Sequence, residues 1–172
     1  AGLGKQVEKN LRLFIGDIRD PQRLKQAVGY RTTTVIHTAA IKYVGVGEYS
    51  PQEFKKTNID GTINVAEAAI DGKVEKCLFI SSDKAVHSIN LYGMTKATGE
   101  RLWVRYNMFG RPRTSFSVLR YGNVFDSQGS VMHIWKTAIE HGDPIRVRTP
   151  VPTRFVQFLS WGSKWVQEIL PI

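Results

Sequence analysis

One stretch decides the fold of this chain: Phe79–Lys96, which reads FISSDKAVHSINLYGMTK. The apolar run Cys77–Ile80 predicts a buried strand, and this strand ends in the polar cluster Ser81–Lys84. Tyr92 and Lys96 then lie four residues apart at the start of a helical pattern, which places both side chains on one face of a helix. Strands and helices alternate elsewhere along the chain too, so we expect an α/β fold.

The Tyr92–Lys96 pair suggests acid–base chemistry. A phenol has a pKa of about 10 in water, so a tyrosine is a poor base at neutral pH unless its phenolate is stabilised. An ammonium group one helical turn away would stabilise it, and Tyr92 would then exchange a proton with a substrate hydroxyl. Ser82, at the strand end, would hydrogen-bond the same hydroxyl. The Tyr-x-x-x-Lys spacing is also common on solvated helices, and its place after Ser-Ser-Asp-Lys is what favours chemistry.

Ser82, Tyr92 and Lys96 resemble the catalytic triad of extended short-chain dehydrogenases/reductases. The longer string, SDKA at 82–85 followed by NLYGMTK at 90–96, resembles the CapD-like polysaccharide-biosynthesis group, which includes inverting UDP-N-acetylglucosamine 4,6-dehydratases. This resemblance implies a Rossmann-like parallel sheet with flanking helices. It also implies an NAD(P)-dependent nucleotide-sugar dehydratase or epimerase that acts on a UDP-sugar.

The same resemblance implies roles for the polar cluster. Asp83 would protonate the departing C6 hydroxyl of the sugar, and Lys84 would abstract the hydrogen at C5. Because adjacent residues of an extended chain point to opposite sides, we expect these two side chains to address different atoms. The full catalytic set implied is Ser82, Asp83, Lys84, Tyr92 and Lys96.

NADP or NAD is the implied cofactor. Asp17 and Ile18 would lie against its adenine. The alternative is that Asp17 only ends a strand and that Asp20 caps the helix that follows. The implied cofactor-binding residues are Asp17, Ile18, Ala39, Ala40, Lys42, Tyr92, Lys96, Tyr121 and Asn123. The implied substrate-binding residues are Lys42, Asn123, Ser130 and Arg154. Arg154 would pair with the diphosphate; a surface charge is the alternative.

The remaining pattern predicts strands at Leu11–Ile18, Thr33–Thr38 and Ser115–Leu119, and helices at Gln22–Val28, at 51–71, from Leu91 to about Phe109 and after Gly129. Asn58 lies inside the second helix. In related enzymes an Asn here bonds the backbone and positions the catalytic Lys through water; the alternative is a solvated side chain. Gly45 and Gly47 do not form a dinucleotide fingerprint, because a third glycine is missing and we expect no helix to begin at once.

The glycine-rich turn that holds a cofactor pyrophosphate should precede Leu11, together with the first two strands of the 3-2-1-4-5-6 order. We therefore expect a single partial Rossmann-like domain over residues 1–172, truncated at the N-terminus and in the C-terminal substrate lobe. Either the strand at Leu11–Ile18 closes up beside Thr33–Thr38, or another subunit fills the gap, or the chain is a fragment. Unpaired sheet edges would favour a homo-oligomer.

The composition of the chain argues against several other classes of protein. The single Cys77 rules out a disulfide framework and predicts a buried free thiol, which fits a cytoplasmic protein. The four histidines are scattered, so we expect no metal site. The net charge of +9 is spread evenly and is not interleaved with aromatics, so we expect no nucleic-acid partner. No apolar run is long enough for a membrane span.

Three interpretations stay open at this point. The first is a nucleotide-sugar dehydratase or epimerase of the CapD-like kind. The second is another NAD(P)-dependent oxidoreductase with a different carbonyl substrate, because the loop before Val131 departs from the family's pattern. The third is a catalytically idle remnant, which the absent glycine turn favours.

Overall fold

The computed structural model describes residues 11–29, 31–110, 112–125, 130–145, 147 and 155–170. Its central sheet holds three parallel strands in the order β1-β2-β3: β1 is Thr34–His37, β2 is Lys76–Ser82 and β3 is Ser115–Tyr121. A second parallel pair joins β4, Asn123–Val124, to β5, Val156–Gln157. The predicted α/β class with a parallel sheet and flanking helices is confirmed.

Helices follow each strand of the central sheet. Helix α3 runs without a break from Pro51–Phe54 through a π-helical turn at Lys55–Asp60 into Gly61–Asp71. A 3₁₀ turn at Asp83–Ala85 separates β2 from the next helix, α4, which begins at Leu91. The other helices are α1 at Pro21–Val28, α2 at Val44–Tyr49, α4 at Leu91–Arg105, α5 at Asn107–Gly110, α6 at Val131–His141 and α7 at Leu159–Ile169.

Local sequence signals account for several of these helix starts. The Asp20 carboxylate accepts from the Arg23 amide, and Pro21 occupies the first turn of α1, as expected. Asn90 caps α4 by accepting from the Gly93 amide at 2.9 Å. Ser130 caps α6 by accepting from the His133 amide. Each cap satisfies an amide that has no partner within its own helix.

The predicted strand at Leu11–Ile18 is wrong. This segment joins no sheet, and Leu13 and Ile15 are 85% and 92% exposed. A strand needs a hydrogen-bonded neighbour, and in the described part of the chain β1 pairs with β2 alone. The alternative in which this segment closes up beside β1 is therefore not realised, and the other edge of β1 stays open in the residues described.

The expectation that no helix begins near Gly45 is also wrong, since α2 starts at Val44. Gly47 is buried against the ring of Phe54, where an added Cβ would lie 3.0 Å from the Phe54 Cζ atom. The absence of a side chain at Gly47 allows α2 to pack closely against α3, so this glycine has a packing role unrelated to a cofactor turn.

A stack of rings fills the core beneath the carboxyl end of β2. His37 stacks on Phe79 at 5.2 Å and on Trp103 at 5.5 Å, and Trp103 meets the edge of Phe116 at 5.2 Å. Cys77 is a buried free thiol, as predicted, and burial raises its pKa to about 12. The core thus fixes the position of β2 between α3 and α4.

The homo-oligomer expected from unpaired edges stays a prediction. The open edge of β1 and the exposed apolar side chains at Leu11–Ile15 are its structural basis. Multi-angle light scattering should give a mass above that of one 19.4 kDa chain. A monomer mass at every concentration tested would count against it.

Candidate active site

The polar cluster lies where β2 ends and the chain turns into the 3₁₀ segment. Ser82 is buried and caps this turn, because its Oγ accepts from the Lys84 amide at 3.2 Å. Its hydroxyl also donates to Asp83 Oδ1 at 3.0 Å. The serine that ends the strand therefore fixes the backbone and the carboxylate that follow it.

Asp83 and Lys84 form an ion pair. Lys84 Nζ donates to Asp83 Oδ1 at 3.1 Å and to Asn123 Oδ1, at the start of β4, at 3.2 Å. The prediction that the two side chains point in opposite directions is wrong, since it assumed an extended backbone and these residues lie in a 3₁₀ turn. Ser82, Asp83, Lys84 and Asn123 are thus brought into one hydrogen-bonded cluster.

Tyr92 reaches the same cluster from the first turn of α4. Burial raises the pKa of Tyr92, a hydrogen bond with Ser82 opposes that rise, and the charge on Asp83 adds to it. The phenol is therefore protonated at neutral pH in this arrangement.

Lys96 lies one turn further along α4 but faces the core. Its Nζ donates to the Ile80 carbonyl at 2.7 Å and lies 3.9 Å from the centre of the Phe79 ring. Burial lowers the pKa of Lys96 to about 8, although the Glu100 carboxylate favours the charged form. The expectation that Lys96 lowers the pKa of Tyr92 is not met in this structure, because the ammonium group is turned toward Ile80.

Asn58 ties the loop after β1 to α4. Its Nδ2 donates to the Ile41 carbonyl at 3.0 Å and to Thr95 Oγ1 at 3.1 Å, while its Oδ1 accepts from the Ile41 amide at 2.8 Å. The side chain is buried, so the alternative of a solvated asparagine is wrong. It projects from the π-helical turn Lys55–Asp60, an irregularity often found at functional sites.

The residues implied for the cofactor lie in two places. Ala39 and Ala40 follow β1 and so lie at the same edge of the parallel sheet as Ser82. Asp17 and Ile18 line a hollow of about 140 Å³ beside α1. Both oxygens of Asp17 accept from Arg19, at 2.7 to 3.1 Å, which lowers the pKa of this exposed carboxyl.

Small residues at one end and a hollow at the other fit the two ends of a dinucleotide. The glycine turn that would hold its pyrophosphate is not found in the described ranges. Lys42 lies in the loop after β1, with its Nζ 5.9 Å from the centre of the Tyr43 ring. The assignment of these residues to the adenine and nicotinamide ends of a cofactor stays a prediction.

The residues that are predicted to bind substrate lie in different places. Asn123 joins the cluster, as described above. Tyr121, which is predicted to bind the cofactor, lines a cavity of about 310 Å³ that also reaches Asp83. The Tyr121 hydroxyl donates to the Gly162 carbonyl at 3.0 Å. Ser130 contacts its own helix as a cap. Arg154 lies outside the described residues.

Arg120 and Glu100 form a part-buried ion pair beside Lys96. The sequence interpretation missed this pair. Arg120 Nε donates to both oxygens of Glu100 at 2.9 and 3.1 Å, and its Nη2 donates to Oε2 at 2.6 Å. Burial alone would raise the pKa of Glu100, but the bonds from Arg120 outweigh it and the pKa is lowered. The sequence places Glu100 four residues after Lys96 on the same helix face, but it carries no local signal that Arg120 is its partner.

We expect Gly93→Ala to destabilise the chain by about 2 kcal/mol, because added volume in a packed site costs about 1 to 3 kcal/mol. An alanine Cβ there would collide with the Lys84 carbonyl oxygen. Gly45→Ala is the matched control, since nothing lies within 4 Å of a Cβ at that helical position. Urea denaturation measures both. Equal stabilities of the two variants would contradict the close approach of α4 to the 3₁₀ turn at Asp83–Ala85.

The burial of His37 leads us to expect that the free energy of unfolding depends on pH. Burial lowers its pKa to about 3, aided by the charge of Lys96, whereas the unfolded chain protonates histidine at about 6.5. His37 Nε2 donates to Thr62 Oγ1, because that hydroxyl in turn donates to the Asn58 carbonyl at 2.8 Å. The folded state therefore holds the histidine neutral.

Since the unfolded chain binds the extra proton, stability is complete above a pH of about 6.5 and falls as the pH drops toward 3. We expect the free energy of unfolding to fall by about 1.4 kcal/mol more per pH unit in the wild type than in His37→Leu, between about pH 5.5 and 4.5. Urea denaturation at both pH values measures the slopes, with the exposed His133→Leu as control. Parallel slopes for wild type and His37→Leu would contradict the neutral buried state.

Neither a membrane-spanning helix nor a metal centre is present in the described residues. No helix there is long and apolar enough to cross a membrane. No group of three or more His, Cys, Asp or Glu side chains lies close enough together in those ranges to hold a metal ion.

Comparison with known proteins shows which family this sequence and fold resemble. The chain is 44% identical over 158 residues to the UDP-N-acetylglucosamine 4,6-dehydratase (inverting) of Campylobacter jejuni, a match of 91% of this chain and 47% of that enzyme. The structure superimposes on Pen from Bacillus thuringiensis with a TM-score of 0.91 at 38% identity, over 98% of this chain and 53% of that one. It matches the UDP-glucose 4-epimerase of Brucella ovis, solved in complex with NAD, with a TM-score of 0.58 at 29% identity over 63% of this chain and 38% of that one.

The chain thus spans about half the length of the relatives that it matches. The resemblance to CapD-like, extended short-chain dehydrogenases/reductases that the sequence motifs indicated is confirmed. The family described as polysaccharide biosynthesis protein matches residues 3–170, which is almost the whole sequence, and the chain belongs to that family.

Proposed function

We propose that the chain acts in an NAD(P)-dependent nucleotide-sugar 4,6-dehydratase or epimerase of surface polysaccharide or glycan biosynthesis, with a UDP-sugar as substrate. The observation that carries this proposal is the cluster of Ser82, Asp83, Lys84 and Tyr92 at the carboxyl end of β2, which places an acid, a base and a phenol around one point. A cytoplasmic location and a homo-oligomeric state stay predictions.

Ala39 and Ala40 would hold the nicotinamide end of NADP or NAD, and the hollow at Asp17 and Ile18 would hold its adenine. When bound, the cofactor accepts hydride from C4 of the sugar and returns it to C6. Because Ala39 and Ala40 lie at the sheet edge where β2 ends, a nicotinamide held there would be near Ser82.

The side chains of the cluster supply the proton steps. Tyr92 would have to lose its own proton first, and as the phenolate it would remove the proton of the C4 hydroxyl as C4 is oxidised to a ketone. The ketone acidifies the hydrogen at C5, which Lys84 would take, and Asp83 would give a proton to the departing C6 oxygen. One water leaves as the electrons of the C5–H bond form the C5–C6 double bond. When C6 is reduced, Lys84 would return a proton to C5, which completes the balance.

This scheme requires Lys84 to be neutral and Asp83 protonated when the C5 proton is taken. The 3.1 Å hydrogen bond between Lys84 Nζ and Asp83 Oδ1 supplies a direct route for that exchange, because one proton moves from the ammonium to the carboxylate. Desolvation by a bound substrate favours the neutral pair over the ion pair. Asn123, which accepts from the same ammonium, would then hold the amine in place.

A catalytically idle chain is the second candidate, and the position of Lys96 favours it. Its ammonium donates to the Ile80 carbonyl, so a catalytic role requires this group to turn toward Tyr92. In an idle chain it would stay where it is.

Cofactor binding separates the two candidates. NADPH and NADH would each be titrated into the purified chain while cofactor fluorescence is followed, and UDP-glucose and UDP-N-acetylglucosamine would then be tested for turnover by mass spectrometry. Saturable binding and conversion of a UDP-sugar are the expected results. If neither cofactor binds, the idle candidate replaces the proposal. If a cofactor binds but neither sugar is converted, an oxidoreductase with another carbonyl substrate replaces it.

A further inference from the structure

A cavity of about 310 Å³ opens beside Asp83, and the proton steps above do not use most of its wall. The wall comes from the end of β3, from β5 and from α7, with Arg120–Gly122, Phe155–Gln157, Trp161 and Trp165. Ligand pockets usually measure about 300 to 1,000 Å³. The cavity therefore has room for one ring and not for a whole nucleotide sugar.

Two tryptophans form the aromatic side of this cavity. Trp161 and Trp165 are four residues apart on α7 and so share one helix face. Phe158 contacts the Trp161 ring edge-on at 5.4 Å, and Phe125 packs on Phe158 at 5.6 Å. These contacts hold the Trp161 ring in place although half of the residue is exposed.

Polar groups surround the aromatic wall. Asp83 contributes a carboxylate, and Arg120 contributes a half-exposed guanidinium whose Nε and Nη2 donate to Glu100. Gln157 is 5% exposed, and its Nε2 has no acceptor in the described part of the chain. A buried amide donor without an acceptor needs an explanation, and a ligand oxygen provides one.

An aromatic wall with donors and an acceptor around it suits a ring that is apolar on its face and carries oxygens at its edge. A pyranose has this character, with C–H groups on its faces and hydroxyl or acyl oxygens around it. The place of the cavity next to Asp83 puts that ring beside the catalytic cluster. A purely apolar ligand would leave the buried Gln157 Nε2 without an acceptor.

We infer that Trp161 and Trp165 stack on the pyranose ring of a nucleoside diphosphate sugar, and that Gln157 donates to an oxygen of that ring or of its substituent. This inference rests on the proposed function, which it extends by assigning the sugar-binding wall of the site. The nucleotide part of the ligand lies outside the cavity.

Calorimetric titration of the full chain with UDP, UDP-glucose and UDP-N-acetylglucosamine tests the assignment. Wild type should bind at least one of the sugar nucleotides more tightly than UDP. Trp165→Leu and Trp161→Leu should each weaken the binding of that sugar nucleotide by about tenfold, as expected for a buried aromatic contact. Their affinity for UDP should not change, since UDP has no pyranose. Gln157→Leu should act in the same direction as the tryptophan variants.

Trp135→Leu on α6 is the matched control, because Trp135 does not line the cavity. Far-ultraviolet circular dichroism checks that each variant folds. If Trp165→Leu fails to fold, the test uses Trp161→Leu, at a half-exposed position, and Gln157→Leu. The inference is overturned if wild type binds no sugar nucleotide, if the variants bind it like wild type, or if they lose UDP equally. Selective loss of sugar binding without any turnover by wild type would support this site while contradicting the proposed function.

Discussion

Tyr92→Phe is expected to lower the turnover of a UDP-sugar by a factor of about 10² to 10⁴, the usual contribution of a positioned acid–base group. The change removes a single oxygen, the one that hydrogen-bonds with Ser82 and so moderates the raised pKa of the phenol. Without it, nothing in the cluster takes the proton of the C4 hydroxyl. Initial rates of UDP-sugar consumption, measured at saturating cofactor, give the result.

Tyr49→Phe is the control for this prediction, since Tyr49 is 91% exposed at the end of α2 and should keep the wild-type rate. Because the rates are measured at saturating cofactor, the loss in Tyr92→Phe falls on kcat. The pH profile adds a second readout: because burial raises the pKa of Tyr92, the wild-type rate should rise as the pH increases above neutrality. A Tyr92→Phe variant that keeps the wild-type rate would remove the tyrosine from the mechanism.

Lys84→Ala is expected to stop the loss of water while cofactor binding stays intact. The amine that takes the C5 proton is gone, and we expect dehydration to slow by about 10² to 10⁴-fold. Because the Asp83–Lys84 ion pair is partly solvent-exposed, the free energy of unfolding should change by no more than about 1 kcal/mol. Exchange of the C5 hydrogen with deuterated solvent, followed by mass spectrometry, measures the step that Lys84 performs.

Lys136→Ala, on the exposed side of α6, is the matched control and should exchange C5 hydrogen like wild type. The variant Lys84→Arg offers a further distinction. It keeps a cation beside Asp83 but cannot become neutral, so it should be as slow as Lys84→Ala. Full dehydration by Lys84→Ala would show that another group takes the C5 proton.

Local signals predicted most of the elements that carry the site. The apolar run before Ser81 became β2, the Asn90 side chain capped α4, and Pro21 with Asp20 began α1. Each of these depends on residues within one or two turns of each other, which is why a single sequence is enough to find them. The strand that ends at Ser82 and the helix that carries Tyr92 and Lys96 are predictable from the amino-acid sequence for this reason.

The errors concern contacts between distant parts of the chain. Residues 11–18 have the apolar pattern of a strand, but a strand exists only beside another, and pattern alone does not supply a neighbour. The bidentate pair of Arg120 with Glu100 joins residues 20 positions apart on β3 and α4. Neither contact has a local signature that specifies its partner.

The direction of Lys84 was missed for a different reason. Ser82 caps the turn through its side chain, which bends the backbone into a 3₁₀ segment and turns Lys84 back onto Asp83. Serine and aspartate at a strand end favour such turns, so the signal was available. The π-helical turn that points Asn58 into the core had no such signal, since its sequence reads as an ordinary helix.

The most direct test of the central claim is the mass of the product formed from UDP-N-acetylglucosamine in deuterated water. The chain, the sugar nucleotide and NADP or NAD would be incubated together, and the nucleotide sugar analysed by mass spectrometry. A 4,6-dehydratase predicts a product that has lost one water and gained one deuterium at C5. A nucleotide sugar of unchanged mass and without deuterium, despite bound cofactor, would contradict dehydration by the Asp83–Lys84–Tyr92 cluster.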